Sequence, residues 1–186
     1  MAIYVESGLE LDLPDGAHFR FADIAAYRSR SGQHLKEMDF AWLEAGRLIL
    51  LEVRSYDQLT SSLTAADFLP LKGQPAPLRF QSVVDKVTDS LLMLMAAWTG
   101  TAWGLGLKSA LPAAAQARLP LKLVVAIDLP PALVVHLQGL RDSLNARLRG
   151  RLALVDMPSI ALVDYQMLFS NALFGGRIAR QAGQLP

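Results

Sequence analysis

Two runs of apolar residues most constrain the fold of this 186-residue chain. The first, RLILLEV, spans residues 47–53, and the second, LKLVVAID, spans residues 121–128. Short apolar runs rich in Leu, Ile and Val predict strands. Between them, residues 79–98 place an apolar residue at every third or fourth position, which predicts a helix with one buried face. Strand, helix and strand in this order predict an α/β domain.

The remaining elements are predicted from local patterns. Residues 2–13 alternate around Ser7 and Gly8, which predicts a hairpin or a bent strand, whereas residues 19–32 fit neither a strand nor a short helix better. Further predicted elements are helices over 132–149 and 164–174, short strands over 151–156 and 160–163, and loops over 57–78 and 101–120. We expect one domain over residues 1–176, with a mixed sheet flanked by helices on both faces, and a loosely held tail over 177–186.

Composition excludes several classes of protein. With 52% hydrophobic and 19% charged residues, the chain is not disordered. The absence of cysteine excludes disulfides, thiolate zinc sites, iron–sulfur clusters and a cysteine nucleophile, and it fits a reducing cytoplasm. A formal net charge of +1 provides no overall basic field, so any anionic partner must be held locally.

A membrane location is not expected, although the mean hydropathy is +0.28. The longest apolar run, Leu91–Trp98, is far shorter than the roughly 20 residues of a spanning helix. The first 16 residues carry acids and no basic segment ahead of an apolar one, which argues against a signal peptide. The expected location is the cytoplasm.

The segment over residues 36–56 carries the strongest chemical signal. If Ala45 and Gly46 form a two-residue turn between strands over 36–43 and 47–53, the numbers of paired residues sum to 91. The predicted cross-strand pairs are then Glu44 with Arg47, Asp39 with Glu52, and Glu37 with Arg54.

Two of these facing residues are carboxylates. Like charges on opposed strand residues are destabilising unless something neutralises them. A divalent cation would do so, because magnesium is usually held by one or two carboxylates, water and substrate phosphates. Asp39 and Glu52 are therefore a candidate magnesium pair.

An ordinary structural interpretation stays open beside it. Acids at strand ends add solubility, and Glu37–Arg54 and Glu44–Arg47 would then be common cross-strand salt bridges. A three-residue turn would also shift the register by one and move Asp39 away from Glu52.

The same segment resembles a known family. KEMDFAW (residues 36–42) followed by LLEVRSY (residues 50–56) looks like the D…(D/E)xK core of the PD-(D/E)XK nuclease superfamily, in its small bacterial branch. KVTDSL (residues 86–91) is similar to the opening of the helix after the motif strand, and LKLVVAID is similar to the next strand. The resemblance covers about residues 33–130.

The resemblance implies a restriction-endonuclease-like α-β-β-β-α-β core. In such a core Asp39 and Glu52 bind Mg²⁺ or Mn²⁺, a lysine orients or activates the attacking water, and a phosphodiester of DNA or RNA is hydrolysed. Arg54 stands where the family has its lysine; arginine cannot act as a base, although it can hold a phosphate or stabilise developing negative charge. Met38 stands where a proline often precedes the first acid.

Two lysines are candidates for a displaced catalytic lysine. Lys36 lies on the opposite strand face from Asp39 by parity, so Lys86 is the better candidate. An acid expected from the family's first helix has no marked counterpart among Glu6, Glu10 and Asp23.

The leading hypothesis is a metal-dependent nuclease that uses Asp39, Glu52, Arg54 and Lys86, with Mg²⁺ or Mn²⁺ as cofactor and DNA or RNA as partner. The alternative is a catalytically degenerate nuclease fold that serves as a protein or nucleic-acid interaction module. Homodimer formation is left open, and no membrane partner is expected.

Overall fold

The computed structural model describes residues 1–30, 32–56, 63–170, 174 and 176–181. Its strands are β1 (Ala2–Glu6), β2 (Leu9–Leu13), β3 (His18–Phe19), β4 (Phe40–Glu44), β5 (Arg47–Ser55), β6 (Leu121–Asp128), β7 (Ala161–Asp164) and β8 (Ile178–Arg180). Its helices are α1 (Ala25–Arg28), α2 (Leu78–Thr99), α3 (Ala102–Lys108), α4 (Leu137–Ala153) and α5 (Tyr165–Ser170).

The central sheet is mixed and has the order β3-β4-β5-β6-β7. The pairs β3–β4 and β4–β5 are antiparallel, whereas the pairs β5–β6 and β6–β7 are parallel. The predicted α/β class with a mixed sheet is therefore confirmed. Parallel strands need crossover connections, which α2 and α4 provide.

The two faces of this sheet are covered differently. One face packs against α2, α3 and α4, with Leu50 and Val125 at its centre. The other face packs against α5 and a separate three-stranded sheet with the order β1-β2-β8, whose Leu9, Leu11 and Leu13 are buried. The expectation of helices on both faces is correct for the first face, but on the second a small sheet forms most of the cover.

The β4–β5 hairpin has the predicted register. Phe40 pairs with Leu51 and Glu44 pairs with Arg47, so paired numbers sum to 91. Ala45 has a φ of 48° and Gly46 a φ of 74°, as a two-residue turn that matches the twist of the strands requires. A three-residue turn is therefore excluded. The first strand of the hairpin, β4, begins at Phe40 rather than at residue 36, so it is shorter at its start than predicted.

Two further predictions are wrong for physical reasons. The segment 101–120, predicted as a loop, contains α3, whose glycines disfavour a helix in isolation. The close packing of α3 on α2 requires glycine, because a Cβ atom at Gly104 would lie 2.0 Å from the Ala96 carbonyl oxygen. The segment 151–156 is not a strand, because α4 continues to Ala153 with buried Leu148 and Leu152 at helical spacing.

The strand β8, near the end of the described chain, pairs with β2, near its start. Residues 1–17 contain the β1–β2 hairpin, so the helix that the resemblance implies ahead of the strands is not found there. Ile178–Arg180 pair with β2, which corrects the expectation of a loosely held tail for these three residues. Residues 182–186 of that tail, 171–173 of the predicted last helix and 57–62 of the predicted loop lie outside the described residues.

Within the described residues, no single helix has both the length and the apolar character needed to cross a membrane. Only α2 and α3 taken together, across a 95° bend, reach that length and composition.

Candidate functional site at the open end of the hairpin

Glu52 is the one acidic side chain of the described core that is wholly buried. Side chains alternate along β5, so Glu52 faces the same way as Leu48 and Leu50, toward α2. Its exposure is 0%. Burying a carboxylate among apolar strands is costly unless it is paired and hydrogen-bonded, so its partners decide its role.

Asp39 lies just before β4, where the β4–β5 ladder stops. Instead of continuing the ladder, its carboxylate Oδ2 accepts a hydrogen bond of 2.8 Å from the backbone N–H of Val53. Its own carbonyl accepts a bond of 3.2 Å from Arg20 Nε on the strand side opposite β5. Asp39 is thus held at both ends, with its side chain turned toward β5.

The segment leading to Asp39 is held by α2, which explains why it is not a strand. The backbone N–H of Lys36 donates to Asp89 Oδ2 at 3.0 Å, and that of Met38 donates to Ser90 Oγ at 2.8 Å. These bonds take backbone groups that a longer β4 would present to β5.

Lys86 of α2 joins the two carboxylates. Its Nζ lies 2.8 Å from Asp39 Oδ1 and 3.0 Å from Glu52 Oε2. Charge-assisted hydrogen bonds of this length are strong, and the ammonium replaces the repulsion expected between the two acids by two attractions. The arrangement explains how Glu52 is tolerated on a buried strand.

Arg54 completes the group, which we call the Asp39–Glu52 cluster: Asp39, Glu52, Arg54 and Lys86. Arg54 Nε lies 2.6 Å from Glu52 Oε1. Within the described residues neither atom has a hydrogen-bond partner, so this contact is an ion pair without the alignment of a hydrogen bond. Another guanidinium nitrogen lies 3.5 Å from Ser82 Oγ.

The electrostatics of the cluster are set by burial. Burial raises the pKa of Glu52 to about 8, and Asp39 adds to the effect, while Lys86 and Arg54 oppose it. Burial alone would lower the pKa of Lys86, but the carboxylates of Glu52 and Asp39 outweigh it and the pKa is raised. Lys86 therefore stays protonated, whereas Glu52 carries its charge only at the expense of stability.

The donor set fits a hard divalent cation with two carboxylate ligands. Asp39 and Glu52 point oxygens at one position, which the Lys86 ammonium takes. Mg²⁺ binds oxygen at about 2.0–2.1 Å, so it would take the place of the ammonium. No group of three or more His, Asp or Glu side chains suited to a metal occurs in the described part of the chain. The remaining ligands would be water and substrate oxygens.

Other residues proposed from the sequence lie elsewhere. Glu37 does not pair with Arg54: it accepts a hydrogen bond from the hydroxyl of Tyr27. Lys36 Nζ binds Asp85 at 2.8 Å. Of the acids proposed for the first helix, Glu6 lies 4.0 Å from Arg20; within the described residues, neither Glu10 nor Asp23 pairs with a member of the cluster.

An open cleft that sequence reasoning missed adjoins the cluster. Its volume is about 650 Å³, and its lining residues are Arg54, Tyr56, Ala66, Asp67, Pro77, Leu78, Arg79 and Ser82. Ala66, Asp67 and Pro77, from the described part of the predicted loop over 57–78, border the cleft. The signal in the sequence is the helical spacing of Arg79, Ser82 and Lys86, which places these polar side chains near one stripe of α2.

Comparison with protein-family models, with curated proteins and with solved structures finds no match to this chain.

Proposed function

We propose that this chain is a metal-dependent nuclease, a hydrolase of phosphodiester bonds in DNA or RNA, with a restriction-endonuclease-like core. The observation that carries the proposal is the Lys86 ammonium held 2.8 Å and 3.0 Å from Asp39 and Glu52. A wholly buried acid, a second acid and a lysine brought together from three elements cost stability that ordinary packing would not require.

The order of elements supports the same core. Along the chain the order is β3, α1, β4, β5, α2, α3 and β6, in which β3, β4 and β5 pair antiparallel with one another and β6 runs parallel to β5. With α1 and α3 set aside, this order is compatible with the β-β-β-α-β part of the core implied by the resemblance, whose leading helix has no counterpart in residues 1–17.

The residues divide the chemistry between them. Asp39 and Glu52 would hold Mg²⁺ or Mn²⁺, which when bound supplies Lewis-acid polarisation and a water of lowered pKa. Lys86, which lies beside both carboxylates, would hold the attacking water or a phosphoryl oxygen. The guanidinium of Arg54 would stabilise the negative charge that develops on the phosphoryl group.

The first test measures binding and cleavage separately. Manganese titration by calorimetry should show weak binding to the wild type and none to Asp39→Asn or Glu52→Gln. Lys86→Met should bind manganese more tightly, because no ammonium competes for the two carboxylates, yet cleave a labelled oligonucleotide about 10²–10³-fold more slowly.

Arg54 supplies a second arm of that test. Arg54→Ala should lower cleavage about 10²–10³-fold, and Arg54→Lys should retain or raise it, since lysine keeps the charge. Glu44→Gln, at the other end of the hairpin, is the control and should cleave as the wild type does. Cleavage that survives Asp39→Asn, Glu52→Gln and Arg54→Ala alike would come from a contaminant and overturn the proposal.

A second function is favoured by one specific observation. Every charge of the Asp39–Glu52 cluster already has a partner inside it, as in a structural ion-pair network. A degenerate nuclease fold that serves as a protein or nucleic-acid interaction module would have such a cluster. Absence of manganese binding in both the wild type and Lys86→Met would select this function.

A further inference from the structure

The cleft beside the Asp39–Glu52 cluster is lined by cationic and polar groups. We propose that it binds a phosphate of a nucleic-acid strand, next to the phosphodiester presented to the cluster, and that Arg79 is its main contact. The assignment of the neighbouring phosphate as the scissile one rests on the proposed function; the binding of phosphate in the cleft does not.

Arg79 lies in the cleft, where the charge of Asp67 interacts with it. Its guanidinium lies over the ring of Tyr56, 5.0 Å from the centroid, so the side chain is positioned by a buried aromatic residue. Within the described residues no carboxylate lies at ion-pair distance from it. Tyr56 also hydrogen-bonds to the Arg79 side chain, and the guanidinium still has a planar set of donors, of which those not used by Tyr56 can bind phosphate.

Asp67, the acid among the described residues that line the cleft, is hydrogen-bonded within its own segment. Asp67 Oδ2 accepts hydrogen bonds of 2.7 Å from the backbone N–H of Thr64 and 2.9 Å from its hydroxyl. Its charge lessens the positive potential of the cleft, but these two bonds hold its carboxylate toward Thr64.

The cleft and the cluster share residues, so one ligand can touch both. Arg54 contacts Glu52 through Nε and reaches Ser82 through its terminal nitrogen, and both Arg54 and Ser82 line the cleft. Ser82 and Lys86 are one turn apart on α2, on neighbouring positions of the helix surface. A strand lying along this stripe would place successive phosphates at Arg79 and at the cluster.

Phosphate contact rather than base stacking follows from the geometry of Tyr56. The ring is 7% exposed and its face is taken by Arg79, so it offers no platform for a base. Contacts to phosphate carry no sequence information, and the cleft would therefore bind strands of any sequence.

The test is the binding of a fluorescein-labelled single-stranded 12-nucleotide probe in EDTA, measured by anisotropy at several salt concentrations. Arg79→Ala should weaken binding about 3–10-fold and reduce the slope of log K against log salt by about 0.7, the contribution of one phosphate contact on a single strand. Arg79→Lys should keep the slope. Arg149→Ala, an exposed arginine of α4, is the matched control and should change neither quantity.

The possible results separate the two proposals. An Arg79-dependent salt slope in a protein that neither binds manganese nor cleaves would support phosphate binding in the cleft and overturn the nuclease function. Cleavage that depends on Asp39 and Glu52, together with oligonucleotide binding unaffected by Arg79→Ala, would overturn the proposal of phosphate binding in the cleft and support the nuclease function. Equal losses of binding affinity in Arg79→Ala and Arg149→Ala, or no oligonucleotide binding by the wild type, would also overturn the proposal of phosphate binding in the cleft. Thermal melting of Arg79→Lys checks that the fold is kept.

Discussion

The two ends of the β4–β5 hairpin carry the same kinds of side chains in different surroundings. At the turn, Glu44 faces Arg47 across the strands. Glu44 is 28% exposed and also contacts Trp42 and Arg177. At the open end, Glu52 is fully buried and its partners are Arg54 of β5 and Lys86 of α2, which also binds Asp39.

Burial makes the difference between these two ends. Charges near water interact weakly, and a surface pair contributes about 0–1 kcal/mol. In the buried end each charge depends on the others, because removing one partner leaves another charge unpaired in a poorly hydrated place. The turn end should therefore tolerate substitution, and the open end should not.

The largest expected effect is that of Lys86→Met. It keeps the apolar stem but leaves the carboxylates of Asp39 and Glu52 facing each other, and should lower the free energy of unfolding by about 3 kcal/mol. The control is Lys36→Met. The pair of Lys36 with Asp85 is partly exposed and has the same 2.8 Å distance as that of Lys86 with Asp39, so this variant should lose less than about 1 kcal/mol. Urea unfolding measures both. Equal losses would contradict a special role for burial.

The next effect concerns pH. The pKa of Glu52 is raised by burial to about 8 from 4.5, so between these values the folded protein binds more protons than the unfolded chain. Stability due to this group therefore falls as pH rises from about 4.5 to 8.

Glu52→Gln should remove that fall. From pH 5 to pH 9, the free energy of unfolding of the variant should rise relative to that of the wild type by more than about 1.4 kcal/mol, the equivalent of one pKa unit. Glu44→Gln should follow the wild-type pH profile. Chemical unfolding at each pH gives the comparison, and a wild-type profile that is flat between pH 5 and 8 would contradict the raised pKa.

A smaller effect is expected for Arg54, which is partly exposed. Arg54→Ala should cost about 1 kcal/mol, because Lys86 still neutralises Glu52. If the hairpin pair Glu37–Arg54 existed, Glu37→Ala would cost the same and the two losses would not add. Since Glu37 instead binds Tyr27, the double variant should show additive losses in thermal unfolding.

The smallest effect is expected at the turn end. Glu44→Gln should change the free energy of unfolding by less than about 0.5 kcal/mol, since solvent screens its interactions. A loss above 1 kcal/mol in urea unfolding would show that the two ends differ less than their burial indicates.

Local patterns in the sequence determined the hairpin register, the helix α2 and the strand β6. The turn needs positive φ at Ala45 and Gly46, and period-two and period-3.6 patterns extend over neighbouring residues. Strand parity also places Glu52 on the face toward α2, whereas Asp39 lies before β4 and its carboxylate is held by the backbone N–H of Val53. These properties depend on residues close in the chain.

Only the tertiary structure decided which groups meet. Lys86 lies 34 residues from Glu52 and 47 from Asp39 along the chain, and no local pattern specifies that its ammonium reaches both. Arg54 takes Glu52 rather than Glu37 as its partner, because α2 holds the segment before β4 away from the ladder. The pairing of β8 with β2 likewise joins the two ends of the chain. Long-range packing, which sequence periodicity does not encode, sets these contacts and with them the chemistry of the site.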